Sequence, residues 1–113
     1  MVDNYKESDL QIKISDWLKV NYPDLLFWHT PNGEKRDIII ALKLKRMGVR
    51  PGVPDFFIPK FKLFIEFKRN KRQKLTTEQK EVKEKLQEYD YKYIILYNFK
   101  DSVEILTSYL TSS

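Results

Sequence analysis

The sequence has no cysteine and a single histidine, His29. A structural zinc site needs a cluster of such ligands, so zinc chemistry is nearly excluded. Any catalytic metal must then be a hard cation held by oxygen ligands. Glycine is scarce, with three in the chain, and no Gly-rich phosphate loop is present, which argues against an NTPase or any bound nucleotide cofactor. No stretch approaches the ~18 apolar residues of a membrane span. The opening "MVDNYKESD" lacks the apolar centre of a signal peptide. The expectation is a soluble, cytoplasmic protein with no membrane partner.

What is present suits one compact domain over residues 1–113, with 42% hydrophobic and 14% aromatic residues. The formal charge of +5 is unevenly spread. Residues Lys35 to Arg50 hold six Lys or Arg against one acid, and so do Phe61 to Leu75. Lys35, Arg36, Lys45, Arg46 and Arg50 in the first segment, with Arg69, Lys71, Arg72 and Lys74 in the second, are candidate contacts to a polyanion such as DNA. Solvated basic faces with no partner are the plain alternative, and charge alone does not choose between them.

Leu10, Ile14, Trp17 and Leu18 recur at helical spacing over Lys6 to Tyr22, and Pro23 ends that helix. "LLFWH" reads as a strand, "TPNG" as a turn, and Glu34 to Met47 as a basic helix closed by Gly48. "VRPGVP" is a rigid connection. "DFFIP" and "LFIEFK" form a hairpin around "KFK". Thr76 to Glu88 is a charged helix, "YKYIILYN" a strand covered on both faces, and Ser102 to Leu110 a closing helix. The order αβαββαβα predicts an α/β fold, with a small mixed sheet of about four strands between helices.

Alternation along "LFIEFK" sends Leu63, Ile65 and Phe67 to one face, and Phe64, Glu66 and Lys68 to the other. An unpaired buried carboxylate costs several kcal/mol or becomes neutral, so Glu66 needs a cation or a counter-ion. An ion pair with Lys68, worth under ~1 kcal/mol, is the bland solution. Asp55 offers another, because a hairpin brings it beside Glu66, where two carboxylates can share one magnesium. Lys68 beside them can orient or help deprotonate a metal-bound water, which is the minimum equipment for phosphodiester hydrolysis.

Asp55, Glu66 and Lys68 fit the PD-(D/E)xK nuclease pattern, read as Pro54-Asp55, ten intervening residues, then Glu66-Phe67-Lys68. The surroundings are more specific. "MGVRPGVPDFFIP", "LFIEFKR" and "LTTEQKEVKEKLQ", with "HTPNG" upstream, resemble the virus-type replication-repair nuclease domain, VRR-NUC, from about Glu7 to Tyr97. The resemblance implies a restriction-endonuclease-like core, dependence on Mg2+ or Mn2+, and phosphodiester cleavage. It implies that Asp55, Glu66 and the Phe67 backbone carbonyl hold the metal, and that Lys68 helps generate the attacking hydroxide. It also brings Glu7 and Gln79 into the catalytic pocket. Each has a structural alternative: Glu7 as a charge near a helix N-terminus, Gln79 as the partner of Thr76 in a capping box. His29 could face the site or be structural, and Asn32 and Gly33 most economically make a turn.

A chain this small has little room to read a base sequence. Stand-alone members of the family resemble archaeal Holliday-junction resolvases, which implies a homodimer cutting branched or four-way-junction DNA, from a phage, virus or prophage. A flap or nicking nuclease of the same chemistry is one alternative. A non-catalytic nucleic-acid-binding module is another, but it gives no reason for Asp55, Glu66 and Lys68 to occur in that order.

Overall fold

The computed structural model describes residues 2–31 and 37–111, with side chains from residue 7 onward. Helix α1 spans Val2–Asn21, β1 Trp28–His29, α2 Ile38–Arg46, β2 Phe56–Ile58, β3 Leu63–Phe67, α3 Thr77–Glu88, β4 Lys92–Leu96 and α4 Phe99–Leu110. The four strands lie in the order β1-β2-β3-β4, antiparallel for the first two pairings and parallel between β3 and β4. This is the expected α/β fold with a mixed sheet.

Strand alternation sorts the sheet into two faces. Phe56, Ile58, Leu63, Ile65, Phe67 and Leu96 point to one face and are buried against Leu10, Ile14 and Leu18 of α1 and Leu106 of α4. Three of the α1 positions follow the helical spacing seen in the sequence, so the main core is a helix stripe laid on a pleated surface. On the other face, Phe57, Phe64 and Tyr91 form an aromatic cluster, with Phe57 stacked on Phe64 at 4.2 Å. Helix α3 covers the β4 side of that face and buries one residue of its own, Val82.

Several boundaries differ from the sequence expectation, each for a local reason. β1 is two residues long because the three-residue β2 pairs only Phe56 and Phe57 with it. Leu25 and Phe27 still pack on the core, without a ladder partner. The "KFK" turn is a 3-10 turn over Pro59–Phe61, closed by Lys62 in the left-handed region (φ 52°). α4 starts three residues before Ser102, because the Asn98 side chain caps it by accepting from the Asp101 N–H at 2.8 Å. The apolar run of β4 predicts a strand covered on both faces. It ends the sheet, and its two faces are covered as expected: Ile94 and Leu96 pack on the main core, and α3 lies on the opposite face, with the Lys83 ammonium over the Tyr93 ring.

α2 starts at Ile38, behind an Asp37 cap whose side chain accepts from the Ile39 N–H. The expected start at Glu34, the turn residues Asn32 and Gly33, and the candidate contacts Lys35 and Arg36 lie outside the described residues. No residue of α2 is buried. Among the described residues, no helix is long and apolar enough to cross a membrane.

Candidate active site

The β2–β3 ladder pairs Phe56 with Ile65. One step further along the same register sets Asp55 across from Glu66, both on the face away from the main core. Asp55 is held from two sides. Its carboxylate Oδ2 accepts the Phe67 N–H at 2.7 Å. Its carbonyl accepts the Thr30 N–H at 2.9 Å and His29 Nδ1–H at 2.8 Å. A carbonyl has no proton to give, so the hydrogen must sit on His29 Nδ1. His29 is therefore a backbone clamp. It packs edge-on against Phe56, on the α1 side of the sheet, instead of projecting into the acidic pocket.

Within a strand, a residue's N–H and C=O share one edge. The Phe67 carbonyl thus opens toward the Asp55 edge, as its N–H does, while Lys68 donates the other way, to Leu96 O at 3.0 Å. Glu66 and Lys68 are each 4% exposed, which is unusual enough for charged residues to demand partners. Gln79 supplies them. Its Oε1 accepts Lys68 Nζ at 2.8 Å, and its Nε2 donates to Glu66 Oε2 at 3.1 Å. The same Oε1 accepts the Thr76 N–H at 2.9 Å, while the Gln79 N–H donates to Thr76 Oγ1 at 3.1 Å. One side chain thus caps α3 and ties it to the buried acid and base. Gln79 has the capping role and the pocket position at once.

The charges do not cancel. Burial pushes the Glu66 carboxyl up to about 8, and Asp55, which lies within hydrogen-bonding reach of it, pushes in the same direction. Lys68, whose ammonium is 3.9 Å away, opposes both without overcoming them. Asp55 is also raised, by burial first, and its bond from the Phe67 N–H offsets part of that. Glu7, half-buried on α1, lines the same pocket and adds negative potential to both carboxyls. Among the described residues, no trio of His, Cys, Asp and Glu is gathered closely enough to cage a metal. Two converging carboxylates and a backbone carbonyl remain, a donor set that suits a cation content with one or two carboxylates and otherwise water or phosphate oxygen.

A solved structure described as a VRR_NUC domain protein superposes on this chain with a TM-score of 0.77 at 26% identity, over 92% of this chain and 87% of the other. The chain folds as a VRR-NUC domain. Its fold points to a family of nucleases. No family model matches the sequence, and no curated protein does.

The site draws on further residues from places the sequence did not advertise. Gly52, at φ +88°, packs so tightly on the start of α3 that a Cβ would sit 2.5 Å from the Glu78 carbonyl oxygen. The "RPGVP" punctuation was the available signal, and by itself it implies a rigid connection and no more. Gln73 lines the pocket from the β3–α3 loop and accepts the Arg69 N–H through Oε1 at 2.9 Å. Tyr93, on the same sheet face as Glu66, is 9% exposed, and its hydroxyl finds no hydrogen-bond partner among the described residues. Burial first, then the charges of Glu66 and Asp55, push that phenol well above its ordinary range. Nothing in the sequence pattern marked either residue.

Of the basic candidates, Arg69, Lys71, Arg72 and Lys74 lie on the loop that borders the pocket. Lys45 and Arg46 end the exposed α2, with Arg50 just beyond. None of these three lines the pocket.

Proposed function

We propose that this domain is a divalent-metal-dependent DNA endonuclease whose reaction centre is Asp55, Glu66 and Lys68. The observation that carries the reading is the opposed pair of desolvated carboxyls, with Glu66 pushed to about 8 beside a buried lysine. A protein gains nothing from such a pair unless a cation resolves the repulsion. Asp55, Glu66 and the Phe67 carbonyl would hold Mg2+ or Mn2+. When bound, the ion would supply Lewis acidity to a phosphoryl oxygen and acidify a water.

The chain's own groups do the rest. The Phe67 N–H keeps Asp55 aimed inward. Gln79 holds Glu66 and the Lys68 ammonium in one fixed relation, so Lys68 can orient the attacking water or donate to a non-bridging oxygen as negative charge builds there. Glu7 increases the pocket's attraction for a cation.

The whole of residues 1–113 would form this nuclease domain, working as a homodimer on branched DNA, with a four-way junction as the preferred substrate. The exposed α2 supports the dimer. Nine residues are too few for a helix to persist alone in water, where about 12–15 are marginal. Ile38, Ile39, Ile40 and Leu42 are nevertheless 51–76% exposed on it. A second copy paired about a two-fold axis would cover that surface, and a two-fold dimer would present two reaction centres to a symmetric junction.

The test is cleavage of labelled four-way junction, flap and linear duplex, with Mg2+ or with chelator, by the wild type and by Lys68→Ala and Glu66→Ala. The reading expects junction cleavage only with Mg2+ and only by the wild type. Cleavage that survives either substitution removes the site assignment. Preferential cutting of the flap keeps the chemistry and changes the substrate. Binding without cleavage under any divalent ion makes the domain a binding module.

A further inference from the structure

Beside the reaction centre lies a second cleft, of about 470 Å3, which shares Gln73 with it. One wall is α3. Lys80, Lys83, Glu84 and Gln87 all line the cleft, and their spacing of three, four and seven places them on one stripe of the helix. The other wall is the loop after β3, which contributes Lys71 and Lys74. The floor is the end of β4, where Tyr97 lies half-buried. Four lysines thus face one glutamate in a cleft that opens next to the acidic pocket.

Two details show that these walls are set in place. The loop is folded on itself, with Asn70 Oδ1 accepting the Arg72 N–H at 2.9 Å and the Gln73 N–H at 3.2 Å. Gln73 then locks the loop's start by accepting from Arg69. On the opposite wall, the Lys83 ammonium lies over the Tyr93 ring, 5.6 Å from its centre, so its stem packs along the sheet. Lysines free in solvent would pay more side-chain entropy to converge on a ligand.

We propose that this cleft is a subsite for a single nucleic-acid strand running to or from the reaction centre. The proposal rests on the nuclease reading for the direction of that strand, but not for the binding itself. The lysines neutralise successive backbone phosphates, and Tyr97 offers an aromatic face for one unpaired base, the combination that sequence-tolerant single-strand sites use. The cleft's volume is that of sites enclosing small ligands, so it admits a short stretch of one strand and not a duplex. A branched substrate presents such a stretch where its strands part.

The experiment is fluorescence anisotropy of a labelled eight-nucleotide oligothymidylate with the full chain in EDTA, where no cleavage can occur. Lys74→Glu/Lys80→Glu reverses one exposed charge on each wall. Lys60→Glu/Lys92→Glu makes the same charge change at the other end of the sheet. The cleft variant is expected to lose at least tenfold in affinity, and its salt dependence to become shallower by roughly 1.4, at about 0.7 per phosphate contact. The control pair should lose less than threefold. Mn2+-induced thermal stabilisation of both variants, equal to wild type, shows that the fold and acidic pocket are intact. Equal loss in the two pairs, or no oligothymidylate binding by the wild type, overturns the subsite. A wild type that binds in this way but cleaves no DNA under any divalent ion leaves the subsite standing and removes the nuclease reading.

Discussion

Replacing Glu66 with glutamine should make the metal-free protein more stable at alkaline pH while destroying its proposed activity. Glu66 rises from an ordinary 4.5 to about 8 on folding. Between those values the folded state holds a proton that the unfolded state has released, so stability falls as pH rises. The favourable contribution is complete below pH 4.5 and gone above pH 8. One proton held over that window corresponds to about 1.4 kcal/mol per pH unit, with a ceiling of about 5 kcal/mol. The substituted amide would keep the acceptor and donor shape but carry no charge, and Lys68 would still have Asp55 in its field. Urea unfolding in EDTA at pH 5, 6.5 and 8.5 reads the difference. Wild type and Glu66→Gln should be nearly equal at pH 5, and the variant ahead by roughly 2–5 kcal/mol at pH 8.5. A pH-independent difference, or a variant weaker than wild type at pH 8.5, would refute the argument that Glu66 is held at a cost.

Three other perturbations probe separate parts of the account. Tyr93→Phe removes a buried hydroxyl with no partner among the described residues and should stabilise the chain by about 1 kcal/mol in urea; a loss would mean the hydroxyl is satisfied. Gly52→Ala forces a side chain into the α3 backbone at a positive φ, and should cost at least about 2 kcal/mol and weaken Mn2+-induced thermal stabilisation. Ile39→Asp changes a residue that is 76% exposed, so the monomer should fold normally. Its sedimentation mass at micromolar concentration should drop from two chains to one, whereas a wild type already at one chain contradicts the dimer.

How much of this was legible in the sequence varied with how local the cause was. The opposition of Asp55 and Glu66 could be read because a hairpin and strand alternation suffice to place them. The α1 stripe of Leu10, Ile14 and Leu18 was legible from periodicity for the same reason. The apolar run of β4 rightly suggested cover on both faces, which the main core and α3 provide, yet nothing in a single strand's pattern says that it ends the sheet. Ser102 looked like the start of α4 because a mid-sequence Asn98 reveals itself as a cap only once its side chain meets the Asp101 N–H. Gln79 could be assigned to a capping box by its spacing from Thr76. That the same oxygen also receives Lys68 depends on how α3 docks against β3, which spacing does not encode. Gln73 belongs to that class too, since it reaches the pocket through tertiary packing.

The central claim is that Asp55 and Glu66 form one cation site. Crystals grown with Mn2+ and measured at a wavelength where manganese scatters anomalously test it directly. The account predicts an anomalous peak between the two carboxylates within ligand distance of the Phe67 carbonyl, absent from crystals of Glu66→Gln. A peak elsewhere on the chain, or none at saturating Mn2+, would contradict it.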